Sequence, residues 1–262
     1  MPNAKDAKIL ESWLLIGDTG SGKTTLFLTI PGKKFAYLFD PRALATLGGY
    51  DIDYEEFYPE GDDLDPYPRS VRKDKSFLSD NPTGRMPEPT LYLRWLEDIN
   101  KRFDSGFFND YDAVMIDSGT LLARAGHYRV RWLQEKKKRE DERTDYRLSG
   151  DMISDALWQF STLPCHTVVT VHHEMRKDGT TAKVNNRMTL PGGARMVTPR
   201  LNSNIWVCTC ENNKYMVQTR PSRENPTVRT SMKFRDMALH HDMTIPDLQN
   251  PEKYGIGGIL SE

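Results

Sequence analysis

Apolar runs and helical periodicities alternate along most of this chain. Strands are predicted where short runs of apolar residues occur, at 13–16, 35–39, 111–118 and 167–171. Helices are predicted where apolar residues recur at helical spacing, at 26–30, 43–47, 90–103 and around 153–160. Two further strands, 204–210 and 214–219, flank Glu211-Asn212-Asn213 and predict a hairpin. The alternation is typical of an α/β domain.

Two segments depart from this alternation. Residues 57–90 contain six prolines among many charges and show no sustained periodicity. We expect them to form a long surface insertion in a core domain that extends from residue 1 to residue 235. The polar tail from 236 to 262 carries Pro246, Pro251 and several glycines, and we expect it to be loosely attached.

Composition favours a soluble domain with a hydrophobic core. Of the 262 residues, 37% are hydrophobic and 28% are charged. No apolar run reaches membrane-spanning length and residues 1–12 do not resemble a signal peptide, so we expect a cytoplasmic protein without membrane contact. Three cysteines are too few for a disulfide framework. We expect Cys208 and Cys210 to be buried thiols rather than metal ligands.

The first predicted strand leads into a glycine-rich turn. Its residues match the pattern G-x-x-x-x-G-K-[ST] without a gap, as Gly17-Asp18-Thr19-Gly20-Ser21-Gly22-Lys23-Thr24-Thr25. The glycines let backbone N–H groups point inward at phosphate oxygens, and the following helix adds a partial positive charge. In this pattern Lys23 reaches the β- and γ-phosphates and the Thr24 hydroxyl ligates Mg²⁺. The segment therefore predicts a site for ATP and Mg²⁺.

A second candidate site residue ends the buried strand at 111–118. Asp117 lies at the carboxyl end of that strand, and in open α/β sheets ligands bind at this edge. We expect Asp117 to hold the Mg²⁺ together with Thr24, as the aspartate of a Walker B strand does. A strand-ending aspartate is also a common turn former, so this assignment depends on the phosphate loop.

A histidine pair follows the strand at 167–171. A polar residue at this position, beside the strand that ends in Asp117, can sense the γ-phosphate, and His173 is the candidate. A shared metal is disfavoured because adjacent residues of a strand face opposite ways. The alternative is a hydrogen-bonded structural pair.

Positive charge is concentrated in the later segments of the chain. Residues 40–65 carry nine acidic residues and one basic residue, whereas 123–147 carry nine basic and five acidic ones. Residues 175–200 carry six basic residues and one acidic residue. Such segments can hold a polyanion.

Each basic segment has its own interpretation. The segment 123–149, with Arg129 and Arg131, is either a solvated helix with many ion pairs or a basic flap over nucleic acid. The segment 175–195 is glycine- and asparagine-rich and suits an extended loop that follows a nucleic-acid backbone. It lacks aromatic residues, so base stacking would have to come from elsewhere. Its candidate contacts are Arg176, Lys177, Lys183 and Arg187.

The order of these parts resembles the RecA-like ATPases, and more closely the phage-encoded, short RecA-core proteins of single-strand annealing and recombination. The phosphate loop and Val114-Met115-Ile116-Asp117-Ser118 carry the resemblance. Suggestive matches are Phe39-Asp40, Val169-Thr170-Val171-His172-His173 and Pro191-Gly192-Gly193-Ala194.

The resemblance implies a fold, an activity and partners. It implies a mostly parallel central sheet with helices on both faces, and ATP hydrolysis at a subunit interface in a ring or filament. The two DNA-contacting loops would fall at about 123–149 and 175–193, with single-stranded DNA as the ligand. Arg220 and Arg223 would act in trans on the phosphates of a neighbouring subunit. Phage replication or recombination proteins would be further partners, in the cytoplasm of the host.

The chain departs from that family at the catalytic base. RecA-like enzymes place a glutamate two residues after the aspartate position of the second strand, and here that residue is Arg42. Asp40 is the candidate replacement, with Glu174 as an alternative. We therefore expect slow, DNA-stimulated hydrolysis, at about 1 per second or below. The alternatives are a P-loop kinase for a small molecule or nucleotide, and an ATP-dependent scaffold without hydrolysis.

Overall fold

Ten strands and seven α-helices make up the regular structure of the residues that the computed structural model describes, which are 9–59, 88–136, 142–177 and 184–261. The strands are β1 (Ser12–Ile16), β2 (Lys34–Leu38), β3 (Asp53–Glu56), β4 (Ala113–Asp117), β5 (His166–Val171), β6 (His173–Lys177), β7 (Val184–Met188), β8 (Asn204–Glu211), β9 (Lys214–Gln218) and β10 (His240–Asp242). The helices are α1 (Lys23–Leu28), α2 (Ala43–Leu47), α3 (Leu91–Asp104), α4 (Gly119–Lys136), α5 (Glu142–Ser161), α6 (Gly192–Val197) and α7 (Gly255–Leu260). None of the helices in these ranges has the length and apolar character needed to cross a membrane.

Eight of the described strands form one sheet, in the order β10-β9-β8-β1-β5-β4-β2-β3. The pairs from β8 to β3 are parallel, whereas β9 and β10 pair antiparallel at one edge. This confirms the expected α/β fold with a mostly parallel sheet. The order places β5 between β1 and β4, so the phosphate loop and Asp117 follow strands that are not neighbours.

Helices cover both faces of the sheet, and β1 shows why. Leu14 and Ile16 point into a core formed with α3, α4 and α5, while Trp13 and Leu15 point into a second core formed with α1, α2 and α7. Alternate residues of a strand face opposite sides, so a strand buried on both faces is apolar throughout. This is the physical reason for the apolar runs in the sequence.

The predicted hairpin near the end of the sheet is confirmed. Asn212 and Asn213 join β8 to β9, and both have positive φ angles, 51° and 62°. Two such residues form the tight turn that matches the twist of paired strands, and asparagine tolerates this conformation. Cys208 is buried as expected, but Cys210 is exposed because the last three residues of β8 extend beyond the core.

The sheet extends to the edge of the segment that was expected to be an insertion. The strand β3 was not predicted, and it pairs with β2 at the sheet edge. Phe57 follows it, donates its backbone N–H to the Leu38 carbonyl at 2.8 Å, and stacks on Phe39. The start of the 57–90 segment therefore belongs to the core domain. Residues 60–87 of the expected insertion lie outside the described residues.

The segment 175–195 is not an extended loop as expected. Within its described residues, β6 and β7 pair antiparallel and α6 follows. These strands were not predicted, because neither shows an apolar run. Backbone pairing between β6 and β7 holds them instead.

The described residues of the charged segment 123–149 belong to two helices, α4 and α5, which pack against each other. α5 also packs against α6, where Gly150 and Gly193 bring the two backbones close together. The two basic segments are distant in sequence but meet at this contact.

The C-terminal segment is not loosely attached, contrary to expectation. β10 extends the sheet beside β9, and Ile256 of α7 is fully buried in the core beneath α1. The Ile256 N–H donates to the Thr29 hydroxyl at 3.0 Å. Buried Lys34 forms an ion pair with Glu252 at 2.5 Å. The prediction of a loose tail, made from polar composition, was wrong because a few specific contacts, not an apolar stripe, hold this segment.

We expect Gly150→Ala to destabilise the fold. A Cβ atom at residue 150 would lie 2.6 Å from the backbone nitrogen of Gly193, and backbone atoms cannot move aside as a side chain can. The free energy of unfolding should fall by about 1–3 kcal/mol in urea titrations, as at other overpacked sites. Gly192→Ala is the matched control, because its Cβ would lie 3.8 Å from its nearest neighbour. Equal losses in both variants would contradict the close α5–α6 contact.

We expect Ile256→Ala to lower the free energy of unfolding by about 2–5 kcal/mol, because it creates a cavity under α1. Thermal and urea unfolding measure the change. Ile9→Ala is the control, since Ile9 is 73% exposed and Ile256 is fully buried. A loss no larger than that of Ile9→Ala would mean that the C-terminal segment is not part of the folded core.

Candidate functional site

The candidate site lies where β1, β4 and β5 end. The phosphate loop connects β1 to α1, and its Gly17 N–H donates to the Val171 carbonyl at the end of β5, at 3.1 Å. Gly20 and Gly22 have φ angles of 80° and 85°, which side chains other than glycine rarely adopt. The backbone conformation of the loop therefore favours glycine at these two positions.

Close contacts from the β8–β9 hairpin also require glycine in the loop. A Cβ atom on Gly17 would lie 2.4 Å from the Cys208 carbonyl oxygen, and one on Gly22 would lie 2.7 Å from the Tyr215 ring. The hairpin thus holds the phosphate loop from one side. The loop conformation depends on residues far away in the sequence.

Lys23 is buried and folded over the loop. Its Nζ donates to the Gly17 carbonyl at 3.0 Å and the Asp18 carbonyl at 2.7 Å, and lies 3.4 Å from Ser21 Oγ. Burial lowers the pKa of Lys23 from its ordinary value, and nearby negative groups such as Asp117 oppose this shift. The ammonium group is thus held by backbone carbonyl oxygens of the loop itself.

Asp117 joins the phosphate loop to the neighbouring strand. Its two carboxylate oxygens accept hydrogen bonds from two threonine hydroxyls, Thr24 at 2.6 Å and Thr170 at 2.5 Å. The side chain is buried, so both oxygens need these partners. Hydroxyl and carboxylate oxygens are the ligands that Mg²⁺ prefers, and Thr24 and Asp117 supply one of each.

Asp40 lies at the same edge of the sheet. The backbone N–H groups of Phe39 and Asp40 donate to the Asp117 carbonyl, at 2.6 and 3.1 Å. The Asp40 carboxylate accepts the Arg42 N–H at 2.9 Å and interacts electrostatically with Lys23. The Arg42 side chain is exposed.

Both histidines of the predicted pair border the site, but they do so differently. His173 is nearly buried, and its Nε2 lies 3.8 Å from the carboxylate of Asp18 in the phosphate loop. Burial and the charge of Lys23 lower the pKa of His172, which also interacts electrostatically with Asp117. His172 therefore interacts with the charged groups of the site, although only His173 was predicted to sense the γ-phosphate.

Two clefts open beside the phosphate loop. The smaller one, of about 380 Å³, borders Gly22 and Thr25. Side chains from three distant parts of the chain line its far side, among them Tyr50, Tyr215, Met243, Ile245 and Leu248. The larger one, of about 960 Å³, borders the start of the loop, with lining residues that include Asp18, His173, Glu211, Glu224 and His240.

The residues expected to contact DNA lie in different environments. Arg129 forms an ion pair with Glu88, and its guanidinium lies 4.6 Å from the centroid of the Trp132 ring. Its charge is therefore engaged in contacts within the protein. Arg131 and Arg187 are half-buried.

Two of the remaining expected contacts belong to a described strand. Arg176 and Lys177 are part of β6. Lys183 lies outside the described residues.

The two arginines expected to act in trans also differ. The Arg220 guanidinium donates to the backbone carbonyls of Arg235 at 3.3 Å and Met237 at 3.0 Å. Arg223 is exposed and directly precedes Glu224, which lines the larger cleft. The C-terminal segment thus fixes the orientation of Arg220, whereas Arg223 is presented to solvent.

Some site residues were missed by sequence reasoning. Thr170 could have been noticed, because it is a hydroxyl residue within an apolar strand next to the strand of Asp117. Tyr215 and Ile245 carry no local signal, because only the tertiary fold brings them to the phosphate loop.

The comparisons with known proteins agree with this geometry. A search of curated proteins found no match. The model of the AAA domain family matches residues 11–227, which include the phosphate loop, Asp117 and the β8–β9 hairpin. Proteins of this family are nucleotide-binding ATPases. The match covers most of the chain, and the chain therefore belongs to the AAA domain family.

Proposed function

We propose that this protein is a Mg²⁺-dependent ATPase that binds single-stranded DNA. The resemblance to short RecA-core proteins supports a setting in phage recombination, annealing or replication, with assembly into a ring or filament. The phosphate loop, Asp117 and the family membership support the nucleotide part. The DNA part rests on the position and charge of the β6–β7 hairpin and α5.

The residues of the site fit a nucleoside triphosphate and its metal. Lys23 already donates to carbonyl oxygens, and phosphate oxygens would replace them as acceptors. Thr24 and Asp117 would hold Mg²⁺, which, when bound, neutralises charge on the β- and γ-phosphates. Because Thr170 fixes the other carboxylate oxygen, Asp117 is oriented before any ligand arrives.

The smaller cleft suits the base of the nucleotide. It continues from Gly22 and Thr25, the end of the loop at which α1 begins, and it is lined by aromatic and aliphatic side chains. Tyr215 lies against Gly22 and offers a ring for stacking.

Asp40 is the residue we assign to water activation. It is the carboxylate at the end of β2, and it interacts with Lys23 and His172. Arg42 occupies the position of the glutamate in RecA-like enzymes and cannot act as a base. Asp40 also accepts the Arg42 N–H, which weakens it as a base, so turnover should be slow.

One observation carries the DNA part of the proposal. β6 begins at His173, whose ring lies 3.8 Å from Asp18 of the phosphate loop. The hairpin that carries Arg176, Lys177 and Arg187 is therefore attached directly to the nucleotide site. DNA bound to this hairpin would act on the phosphate loop through that contact.

A second candidate function is an ATP-dependent scaffold without hydrolysis. The exposed Arg42, in place of an acidic residue, favours it. A scaffold would bind ATP through Lys23 and release no phosphate with or without DNA. A kinase would transfer the phosphate to an acceptor and show no response to DNA.

We expect Asp117→Asn to abolish the effect of Mg²⁺ on nucleotide affinity while preserving the fold. Asparagine keeps the shape and can still hydrogen-bond to Thr24 and Thr170, but it lacks the charge that binds the cation. Titration of a fluorescent ATP analogue with and without Mg²⁺ measures this effect. Asp98→Asn is the control, because the Asp98 carboxylate accepts hydrogen bonds from Tyr37 and Arg102 away from the site. Unchanged Mg²⁺ dependence in Asp117→Asn would exclude Asp117 as a metal ligand.

We expect single-stranded DNA to stimulate phosphate release, and Asp40→Asn to lower the stimulated rate by about 100-fold, as for loss of a general base. Asparagine at residue 40 can still accept the Arg42 N–H, so the local backbone should be unchanged. Phosphate release is measured with and without a thymidine oligonucleotide, and Lys23→Ala provides the background. No release under any condition would favour the scaffold. An unchanged rate in Asp40→Asn would show that the base lies elsewhere.

A further inference from the structure

The structure holds an exposed aromatic ring at the junction of the two basic segments. Tyr146 of α5 is 53% exposed. Its ring stacks on the His127 ring of α4, with centroids 4.7 Å apart and planes inclined by 25°. A stack of this kind covers one face of the Tyr146 ring and leaves the rest of the ring exposed to solvent.

The His127 ring of this pair is fixed by buried hydrogen bonds. His127 Nδ1 lies 2.9 Å from the Ser149 hydroxyl, which in turn donates to the Asp145 carbonyl. Ser149 is fully buried, so the His127 ring cannot move without breaking these bonds. Tyr146 stacks on this fixed ring, which limits its motion, and less conformational entropy is lost when a ligand stacks on it.

Basic residues occur close to Tyr146 in the sequence of α5 and in the neighbouring helix α6. Arg143 and Arg147 are exposed neighbours on α5, one turn before and one residue after it. Gly192 of α6 lies beside the Tyr146 backbone, and Arg195 follows on the same helix. The chain enters α6 directly from the β6–β7 hairpin. An exposed ring among cations is the arrangement by which proteins bind single-stranded nucleic acid, through stacking and phosphate contacts together.

We propose that Tyr146, supported by His127, is a stacking site for a base of single-stranded DNA. This inference rests on the proposed DNA binding and supplies the aromatic contact that the basic segment 175–195 lacks. The backbone of the DNA would lie along Arg147 and the basic residues near α6. Stacking does not depend on base identity, so the site gives affinity without sequence preference.

The first test compares variants by fluorescence anisotropy with a labelled thymidine oligonucleotide and a non-hydrolysable ATP analogue. Tyr146→Ala should weaken the affinity by about tenfold to hundredfold, the usual range for loss of one stacked base. Tyr146→Phe keeps the ring and should stay within about twofold. Tyr54→Ala is the matched control, because Tyr54 is similarly exposed, at 48%, on the acidic edge strand β3.

Salt titrations separate stacking from charge. Tyr146→Ala should leave the slope of log affinity against log salt unchanged. Arg147→Ala should reduce that slope by about 0.7, the value for one phosphate contact on a single strand. A reduced slope in Tyr146→Ala would overturn the stacking assignment.

A test with the wild-type protein avoids any effect of substitution on folding. An abasic oligonucleotide keeps the phosphates but offers no base at the site. The wild-type protein should bind the abasic strand as weakly as Tyr146→Ala binds the thymidine strand. Replacing the thymidine strand by the abasic strand should lower the affinity of Tyr146→Ala less than that of wild type. Equal wild-type affinity for abasic and thymidine strands would overturn the stacking site alone. Absence of binding to either strand would overturn the proposed DNA function as well.

Discussion

The buried carboxylate of Asp117 is the interaction on which the site depends. A carboxylate removed from water is stable only if both oxygens are hydrogen-bonded, and here Thr24 and Thr170 provide the bonds. Because these threonines belong to α1 and β5, the requirement fixes the phosphate loop relative to two strands. The backbone carbonyl of Asp117 also accepts N–H groups at the end of β2, which positions Asp40. One residue thus aligns four parts of the sheet edge.

The phosphate loop is shaped as much by the C-terminal third of the chain as by its own glycines. Cys208 and Tyr215 approach Gly17 and Gly22 so closely that no side chain would fit. The Met243 N–H in turn donates to the backbone carbonyl of Tyr215 at 2.7 Å and so holds Tyr215 in place. The segment that was expected to be a loose tail therefore supports the wall of the nucleotide site.

The nucleotide site and the basic surfaces are connected through few residues. β5 ends beside the phosphate loop, and the chain passes through His172 and His173 into the β6–β7 hairpin. The hairpin leads into α6, which packs on α5 at Gly150 and Gly193. The candidate site and this pair of helices are thus joined through β5, the two histidines and the β6–β7 hairpin. In the proposed function this short connection links DNA binding to hydrolysis, while Arg42 keeps hydrolysis slow.

Local patterns were sufficient to predict the phosphate loop, Asp117 and the buried strands, because each is a contiguous segment whose chemistry does not depend on distant partners. The edge strand β3 was missed because its exposed residues are polar, and only backbone pairing with β2 makes it a strand. The helix α7 was missed because its glycines are typical of a loop. A Cβ atom on Gly257 would lie 2.0 Å from the Thr29 carbonyl oxygen, so close packing requires glycine there. The sequence by itself determined the glycine pattern and the strand-ending aspartate of the candidate site, and the tertiary structure decided which distant side chains complete that site, because burial and close approach arise only when the elements pack.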